Sequence, residues 1–308
     1  MTSAELLTAF DRDPRAAYWS QFWQRQKLLP NDVLRRAVTA GLMSTEDDPG
    51  QEAGDAVMTL SAERGLDTKQ FEVYNQALHL ASLSDLIVTV IRAQEPVWGR
   101  PVDQTVQSLP WVSNCFLERS GVRLRRVVIV DRWTQDRKES ESHSYFSLGE
   151  IAAYQMPMTM TVIVVGQNRD GKHHSPWSKG YLHPKSRSLR IRKRTGEFKE
   201  NWIQVWREEQ DQLSRDLWIE TMQEDGVFSD VMFEVDVPLP CAEVVSKIGR
   251  LIEKRLTRLQ EMTEVPEPSI SQCDWPVPCQ FRLACWSFTE PSEKNGFVRI
   301  SPETPASG

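Results

Sequence analysis

Apolar residues recur along the chain at two spacings, one typical of helices and one of strands. Positions three or four residues apart predict amphipathic helices at residues 28–42, 51–64, 70–91 and 244–262. Short apolar or alternating runs predict strands at residues 112–117, 127–130, 161–165 and 232–237. A short helix is predicted at residues 148–154, between the second and third strands. The order strand, helix, strand in the middle of the chain predicts an α/β fold.

The segments between these elements have few apolar positions. Residues 93–110 are rich in proline and residues 131–143 are polar, so both segments are predicted to be loops. Residues 291–308 are rich in Pro and Ser, which predicts a disordered tail. We therefore interpret residues 1–290 as a single domain, with an insertion at residues 167–199, followed by the tail.

The composition is that of an ordinary folded protein with one unusual concentration of charge. The chain has 308 residues, 40% of them apolar, and a net charge of -6, which excludes disordered and collagen-like classes. Residues 169–199 contain ten Lys and Arg and two acidic residues, a net charge of +8 that leaves -14 for the remainder. An acidic body with one basic segment is typical of a protein that contacts polyanions at one place.

The sequence has the features of a cytoplasmic protein. No apolar run reaches the roughly 18 residues of a membrane-spanning helix, and the first residues lack the basic-then-apolar order of a signal peptide. We therefore expect no membrane segment. Five cysteines in a reducing compartment favour free thiols or metal ligands over disulfides. Cys115, in a predicted strand, and Cys241, at the start of a predicted helix, are expected to be inert buried thiols.

Three cysteines lie at equal spacing in a segment constrained by proline. Cys273, Cys279 and Cys285 occur in the motif Cys-Asp-Trp-Pro-Val-Pro-Cys-Gln-Phe-Arg-Leu-Ala-Cys, which we call the cysteine motif. Thiolates grouped in this way suit zinc or an iron-sulfur cluster, because a soft cation offsets their mutual repulsion. Three thiolates are one ligand short of a complete set. A cluster of small buried residues is therefore the alternative interpretation.

The second half of the cysteine motif, from Cys279 to Cys285, resembles a motif of RecB-like PD-(D/E)XK nucleases that carry a [4Fe-4S] cluster. The AddB nuclease domain and CRISPR-associated RecB-like exonucleases are of this kind. In that family an early cysteine, typically followed by Pro-Arg, supplies the fourth ligand and joins the two ends of the chain. Asp13 precedes Pro-Arg in this sequence. The resemblance therefore implies that Asp13 completes the ligand set of Cys273, Cys279 and Cys285.

The same resemblance implies a restriction-endonuclease-like fold. This fold has a mixed sheet core flanked by helices, and here it would have a helical N-terminal segment and a C-terminal cysteine loop. The predicted elements follow the family's order of helix, two strands, helix and strand. In that order Asp131 stands at the catalytic aspartate of the second strand. Glu150 and Tyr154 stand at the two ends of the family's Gln-x-x-x-Tyr helix.

Several residues that nuclease chemistry needs are replaced. A metal-dependent phosphodiesterase uses at least two carboxylates to hold Mg²⁺ or Mn²⁺ and a lysine to position the attacking water. Met58, Asn114 and Trp133 stand near the places of the family's His, Asp and Lys. We therefore expect a degenerate site, the remnant site, formed by Asp131, Glu150 and Tyr154. The alternative is an active nuclease whose atypical site gathers other groups around Asp131, namely Glu118, Asp136, Lys138 and Glu150.

Residues 167–199, which we call the basic segment, have the composition of a nucleic-acid contact surface. Trp177, Tyr181 and His183 alternate with cations, and aromatic faces beside phosphate-neutralising charge suit sequence-independent binding of single strands or junctions. The cations expected to make contact are Lys179, Lys185, Arg187, Arg190, Arg192 and Arg194. This interpretation predicts a DNA-binding protein, with RNA as the alternative ligand. Two other interpretations are a solvated hairpin that balances the acidic body and a scaffold whose tryptophans bind a protein partner.

Overall fold

The chain folds as a mixed α/β protein in a computed structural model. The structure describes residues 2–66, 73–94, 99, 104–113, 115–118, 121–130, 132–165, 219–220, 231–267, 281, 284 and 289–300. The α/β class predicted from the apolar patterns is confirmed. The restriction-endonuclease-like arrangement stays a prediction.

Helices and strands occupy the following bounds. The helices are α1 (Ser3–Arg12), α2 (Pro14–Ser20), α3 (Pro30–Met43), α4 (Pro49–Arg64), α5 (Val73–Gln94), α6 (Gln135–Ser142), α7 (Glu150–Tyr154) and α8 (Ala242–Gln260). A π-helical turn (Tyr145–Gly149) leads directly into α7, and a 3-10 turn covers Glu293–Asn295. The strands are β1 (Trp23–Arg25), β2 (Gln104–Val106), β3 (Leu109–Trp111), β4 (Phe116–Leu117), β5 (Leu124–Val130), β6 (Met158–Val164), β7 (Met232–Val237) and β8 (Phe297–Arg299).

Among the described residues, four strands form the central sheet in the order β4-β5-β6-β7. β5 and β6 run parallel, with Leu124 opposite Met158 and Val130 opposite Val164. β4 pairs antiparallel with β5, and β7 pairs antiparallel with β6. Parallel neighbours need a crossover connection, which α6, the π-helical turn and α7 supply. Every residue of β6 is buried, as expected for a strand with both faces covered.

Helices α3, α4 and α5 cover one face of the sheet and share a core with it. Val127, Ile129, Ile163 and Met232 contribute to this core from the strands. α3 and α4 approach each other closely at Gly41. A Cβ at this position would lie only 2.6 Å from the carbonyl oxygen of Pro49. The opposite face of the sheet forms a second core, which α7 helps to cover. Its members include Val128, Met160, Val162, Val235 and Ile151.

The two ends of the chain meet beside this body. β1 pairs antiparallel with β8, with Trp23 opposite Arg299. A small core joins residues from both ends, namely Ala16, Trp19, Phe281, Ala284 and Phe297. The prediction of a disordered tail is therefore wrong for residues 291–300, because the burial of Phe297 and the pairing of β8 order this part of the chain. Residues 301–308 lie outside the described residues.

The predicted helices and strands correspond to observed elements, whereas two predicted loops contain regular structure. The polar segment 131–143 contains α6, whose single buried residue is Glu141, so it has no apolar stripe to reveal it. The Pro-rich segment 93–110 contains most of the β2–β3 hairpin, which turns at Gln107 with a φ of 57°. The strand predicted at residues 112–117 is limited to β4. No helix of the described chain is both long and apolar enough to cross a membrane.

We expect Gly149→Ala to lower the free energy of unfolding by about 1 to 3 kcal/mol, because it overpacks the core. A Cβ at this position would lie 2.6 Å from Cζ2 of Trp111, whose side chain is buried. The matched control is Gly54→Ala in α4, where the nearest atom would be 3.5 Å away. This control should gain about 0.5 to 1 kcal/mol from helix propensity. Urea denaturation measures the free energy of unfolding of both variants. An equal gain in this free energy in both variants would contradict close packing of Trp111 on Gly149.

Candidate functional site

Most of the residues expected to act lie outside the part of the chain that the structure describes. They are Asp131, the six cations Lys179, Lys185, Arg187, Arg190, Arg192 and Arg194, and the three cysteines Cys273, Cys279 and Cys285. The structure describes Glu150, Tyr154 and Asp13.

Glu150 is a buried carboxylate at the start of α7. Its side chain has no solvent exposure, and its Oε2 accepts a hydrogen bond of 2.8 Å from the hydroxyl of Ser113. The same hydroxyl accepts the main-chain N–H of Cys115 at 3.0 Å. Ser113 therefore joins the crossover helix to the segment that leads into β4. Tyr154 lies at the other end of α7, four residues on, where its ring packs against the second core.

The thiol of Cys115 lies in the same buried region. Burial raises the pKa of Cys115 well above its usual value, the Glu150 carboxylate raises it further, and the Arg126 guanidinium lowers it. A thiol that stays protonated at neutral pH is a poor nucleophile and a poor metal ligand. The expectation that Cys115 is buried is confirmed. The same expectation is wrong for Cys241, which is exposed at the N-cap of α8.

Arg126 lies on an otherwise apolar face of β5. Residues of the crossover between β5 and β6 compensate its charge. Its Nη2 donates to Oε2 of Glu141 at 2.7 Å, and its Nη1 donates to the hydroxyl of Ser147 at 3.0 Å. Its guanidinium also lies over the ring of Phe146, 4.9 Å from the centroid. The two ionic side chains are only 9% and 10% exposed. Removing either partner from such a pair leaves a buried charge, which typically costs about 3 to 5 kcal/mol.

The face of the sheet that packs against α3, α4 and α5 carries ion pairs near the start of β5. Arg125 contacts Glu118 at 2.9 Å and also pairs with Glu234. Arg123 donates to Asp236 at 2.6 Å. The carboxylates on this face thus accept hydrogen bonds from arginines. Within the described ranges, no three His, Cys, Asp or Glu side chains form a group that could hold a metal ion.

A cleft of about 560 Å³ lies beside β5, between the N-terminal helices and α6. Residues 127–129 of β5 form part of its wall. The described part of β4 pairs only with Leu124 and Arg125, so it does not cover this stretch of β5. We call this space the arginine cleft after the charged residues that line it in the described part of the chain, namely Arg12, Arg35, Arg126, Arg137, Glu5 and Glu141.

Asp13 has a structural role that the sequence analysis did not assign to it. It is the N-cap of α2, and its Oδ1 accepts the main-chain N–H of Arg15 at 3.0 Å. The order Asp-Pro, with proline at the first helical position, is the sequence signal for such a cap. Ala16 and Trp19 of α2 pack with Phe281 and Ala284, which belong to the cysteine motif. Ligation of a metal by Asp13, Cys273, Cys279 and Cys285 stays a prediction.

No family model matches the chain, and neither a curated protein nor a solved structure matches it significantly. The resemblance to RecB-like nucleases therefore depends on the residue motifs alone. The α/β architecture is compatible with that family and is shared by many others.

We expect iodoacetamide at pH 8 to modify Cys241 in the folded protein and to leave Cys115 unmodified. Glu150→Gln removes a negative charge beside the thiol, so the pKa of Cys115 should fall and its alkylation should begin at lower pH. Ser113→Ala is the control, because it removes the hydrogen bond and keeps the carboxylate. Peptide mass spectrometry across a pH series measures the alkylation of each cysteine separately. Equal reactivity of Cys115 and Cys241 at pH 8 would contradict the burial of Cys115.

We expect protein purified without oxygen to contain iron or zinc bound through Cys273, Cys279 and Cys285. A carboxylate holds iron less firmly than a thiolate, so exposure to air should release an iron-sulfur cluster. Elemental analysis should find the metal lost in Cys279→Ser and retained in Cys241→Ser. Asp13→Cys should make the bound metal more resistant to air, whereas Asp13→Asn should weaken binding and keep the helix cap. Absence of both metals from the anaerobic protein would exclude the site.

Proposed function

We propose that the protein binds nucleic acid, single-stranded or junction DNA, through its basic segment and does not cleave the bound strand. The observation that carries this proposal is the segregation of charge along the chain. Residues 169–199 carry +8 and the remainder carries -14. A polyanion is repelled by an acidic body and attracted to one basic segment, so binding should be local and governed by phosphate contacts.

The surroundings of Glu150 support a loss of catalysis. A carboxylate that holds Mg²⁺ or Mn²⁺ shares the ion with further oxygen ligands, usually including water. Glu150 is instead fully buried, accepts a hydrogen bond from Ser113 and lies near the thiol of Cys115. A buried thiol does not replace the second carboxylate that the reaction requires.

A RecB-like ancestry is the family proposal that fits these features. It is supported by the cysteine motif and by the Asp-Pro-Arg sequence at the start of α2. It is also supported by a sheet in which a parallel pair, joined by a helical crossover, is flanked by antiparallel strands. In this proposal Asp131, Glu150 and Tyr154 are what remains of a nuclease site.

We expect the affinity for a fluorescent oligo-dT to fall steeply with salt, and the triple variant Arg190→Gln/Arg192→Gln/Arg194→Gln to flatten that dependence. Each phosphate contact adds roughly 0.7 to 0.9 to the slope of log affinity against log salt, so the loss should be about two to three units. Fluorescence anisotropy at several salt concentrations measures the slope. The control variant lacks three exposed cations of α8, namely Lys247, Arg250 and Lys254, and it should keep the wild-type slope.

Two outcomes of these assays would contradict the proposal. An unchanged slope in the triple variant would reduce the basic segment to a solvated hairpin and favour a protein-interaction scaffold. Cleavage of the oligonucleotide with Mg²⁺ or Mn²⁺, lost in Asp131→Asn, would establish the active nuclease instead. An oligo-U of the same length compares RNA with DNA in the same experiment.

A further inference from the structure

Helix α8 has a regular stripe of residues on its exposed side as well as the stripe that it buries. The buried side consists of Gly249, Ile252, Leu256 and Leu259, and it packs against α1, α2, α7 and β2. The residues on the opposite side recur at alternating intervals of three and four, which places them on one line along the helix. We call this line the α8 stripe, and its residues are Val244, Lys247, Leu251, Lys254 and Arg258.

Two apolar residues of the α8 stripe remain in contact with water. Val244 is 40% exposed and Leu251 is 44% exposed. Single exposed apolar residues are common on soluble proteins. These two residues, however, lie seven positions apart on one line, the spacing at which a helix meets a second helix packed along it. The α8 stripe therefore has the geometry of a helix-helix contact.

Cations surround these two apolar residues. The cations on this side of α8 are all exposed, and they are Lys247, Arg250, Lys254 and Arg258. Two carboxylates lie on the same side, Glu243 in the first turn and Glu261 at the C-cap. Because both carboxylates lie near the ends of the helix, the middle of the α8 stripe, around Leu251, is flanked by cations.

The cations of the α8 stripe keep their charge for a partner. Lys247 contacts Glu243 at 2.6 Å, but these side chains are 63% and 75% exposed, so water screens their attraction. Arg258 lies over the ring of Phe10, 5.8 Å from the centroid, a contact that does not neutralise the guanidinium. Among the ion pairs of the described chain, α8 contributes only Lys247 and Arg255, so Lys254 takes part in none.

We propose that the α8 stripe binds an acidic amphipathic helix of a partner protein. The apolar side chains of that helix would cover Val244 and Leu251, and its carboxylates would pair with Lys247, Lys254 and Arg258. The stripe extends over about four helical turns, or about 21 Å. A contact of this size is small, so the association is expected to be transient. The inference is independent of the proposed function, because it does not involve the basic segment.

The composition of the α8 stripe favours this partner over two others. Sequence-independent binding of nucleic acid uses phosphate contacts, and phosphates offer no apolar surface to Val244 and Leu251. A second copy of α8 would place Lys247 and Lys254 against their own copies in a parallel pair. An antiparallel pair centred on Leu251 would place Arg258 against Val244. Both arrangements bury cations without carboxylates opposite them, which is unfavourable.

The experiment measures the binding of synthetic helices to the full chain by fluorescence anisotropy. The probe is a fluorescent peptide of three heptads with Leu at positions a and d, Glu at e and g, and Ala elsewhere. Repulsion between the glutamates keeps this acidic peptide from pairing with itself at neutral pH. One comparison peptide replaces every Glu by Lys, and the other replaces every Leu by Ser. We expect the acidic peptide to bind at least about tenfold more tightly than either comparison peptide, because each of them lacks one of the two kinds of contact.

Two variants of α8 test the apolar and the ionic contacts separately. Leu251→Ser should weaken binding of the acidic peptide about tenfold, because it removes an apolar contact. Lys247→Glu/Lys254→Glu should lose the acidic peptide and bind the basic peptide instead, a reversal that misfolding would not produce. The matched controls change exposed residues outside α8 and should keep the wild-type affinities, and they are Val122→Ser and Lys27→Glu/Lys294→Glu.

Carbodiimide cross-linking locates the bound peptide, because the reagent joins a lysine amine to a carboxylate in contact with it. Mass spectrometry should find the acidic peptide joined to Lys247 or Lys254. Cross-links confined to Lys179 and Lys185 would overturn the proposal, because the acidic peptide would then be bound by the basic segment.

Three further results would overturn the proposal. The first is equal affinity for the acidic peptide and the two comparison peptides. The second is self-association of the protein in sedimentation experiments that Leu251→Ser abolishes, since the stripe would then bind a second copy. The third is a flatter salt dependence of oligo-dT binding in the variant that lacks Lys247, Arg250 and Lys254, since α8 would then contact nucleic acid.

Discussion

The buried ion pair between Arg126 and Glu141 is the interaction on which the arrangement of this half of the molecule depends. Both side chains are about nine-tenths buried, so neither can lose the other without leaving an unpaired charge in a medium of low dielectric. Arg126 belongs to β5 and Glu141 to α6, so the pair fixes the start of the crossover against the central strand. The position of α7, and with it Glu150, follows from that of α6 and the π-helical turn. Glu141 also holds Arg137, which gives the arginine cleft one of its walls.

The same pair shows how the described carboxylates of this region are held. A carboxylate in a medium of low dielectric needs a cation or a hydrogen-bond donor close to it. Arg126 is the cation beside Glu141 on one face of the sheet, and Arg125 is the cation beside Glu118 on the face that packs against α3, α4 and α5. Glu150 is held by the hydroxyl of Ser113. These contacts join β5 to the crossover and to the residue that follows β4, so the partners of the carboxylates also fix the elements that carry them.

The sequence predicted the elements that bury apolar stripes and missed those that do not. α3, α4, α5 and α8 were found because apolar residues recur along one face, and β5 to β7 because β-branched and apolar residues cluster there. α6 was missed since its only buried residue is charged, and β8 was missed because Phe297 alone marks its packing face. The role of Arg126 depends on a partner in α6, 15 residues away in sequence. Periodicity cannot reveal a contact made by two polar residues on different elements, which is why the arginine cleft was not foreseen.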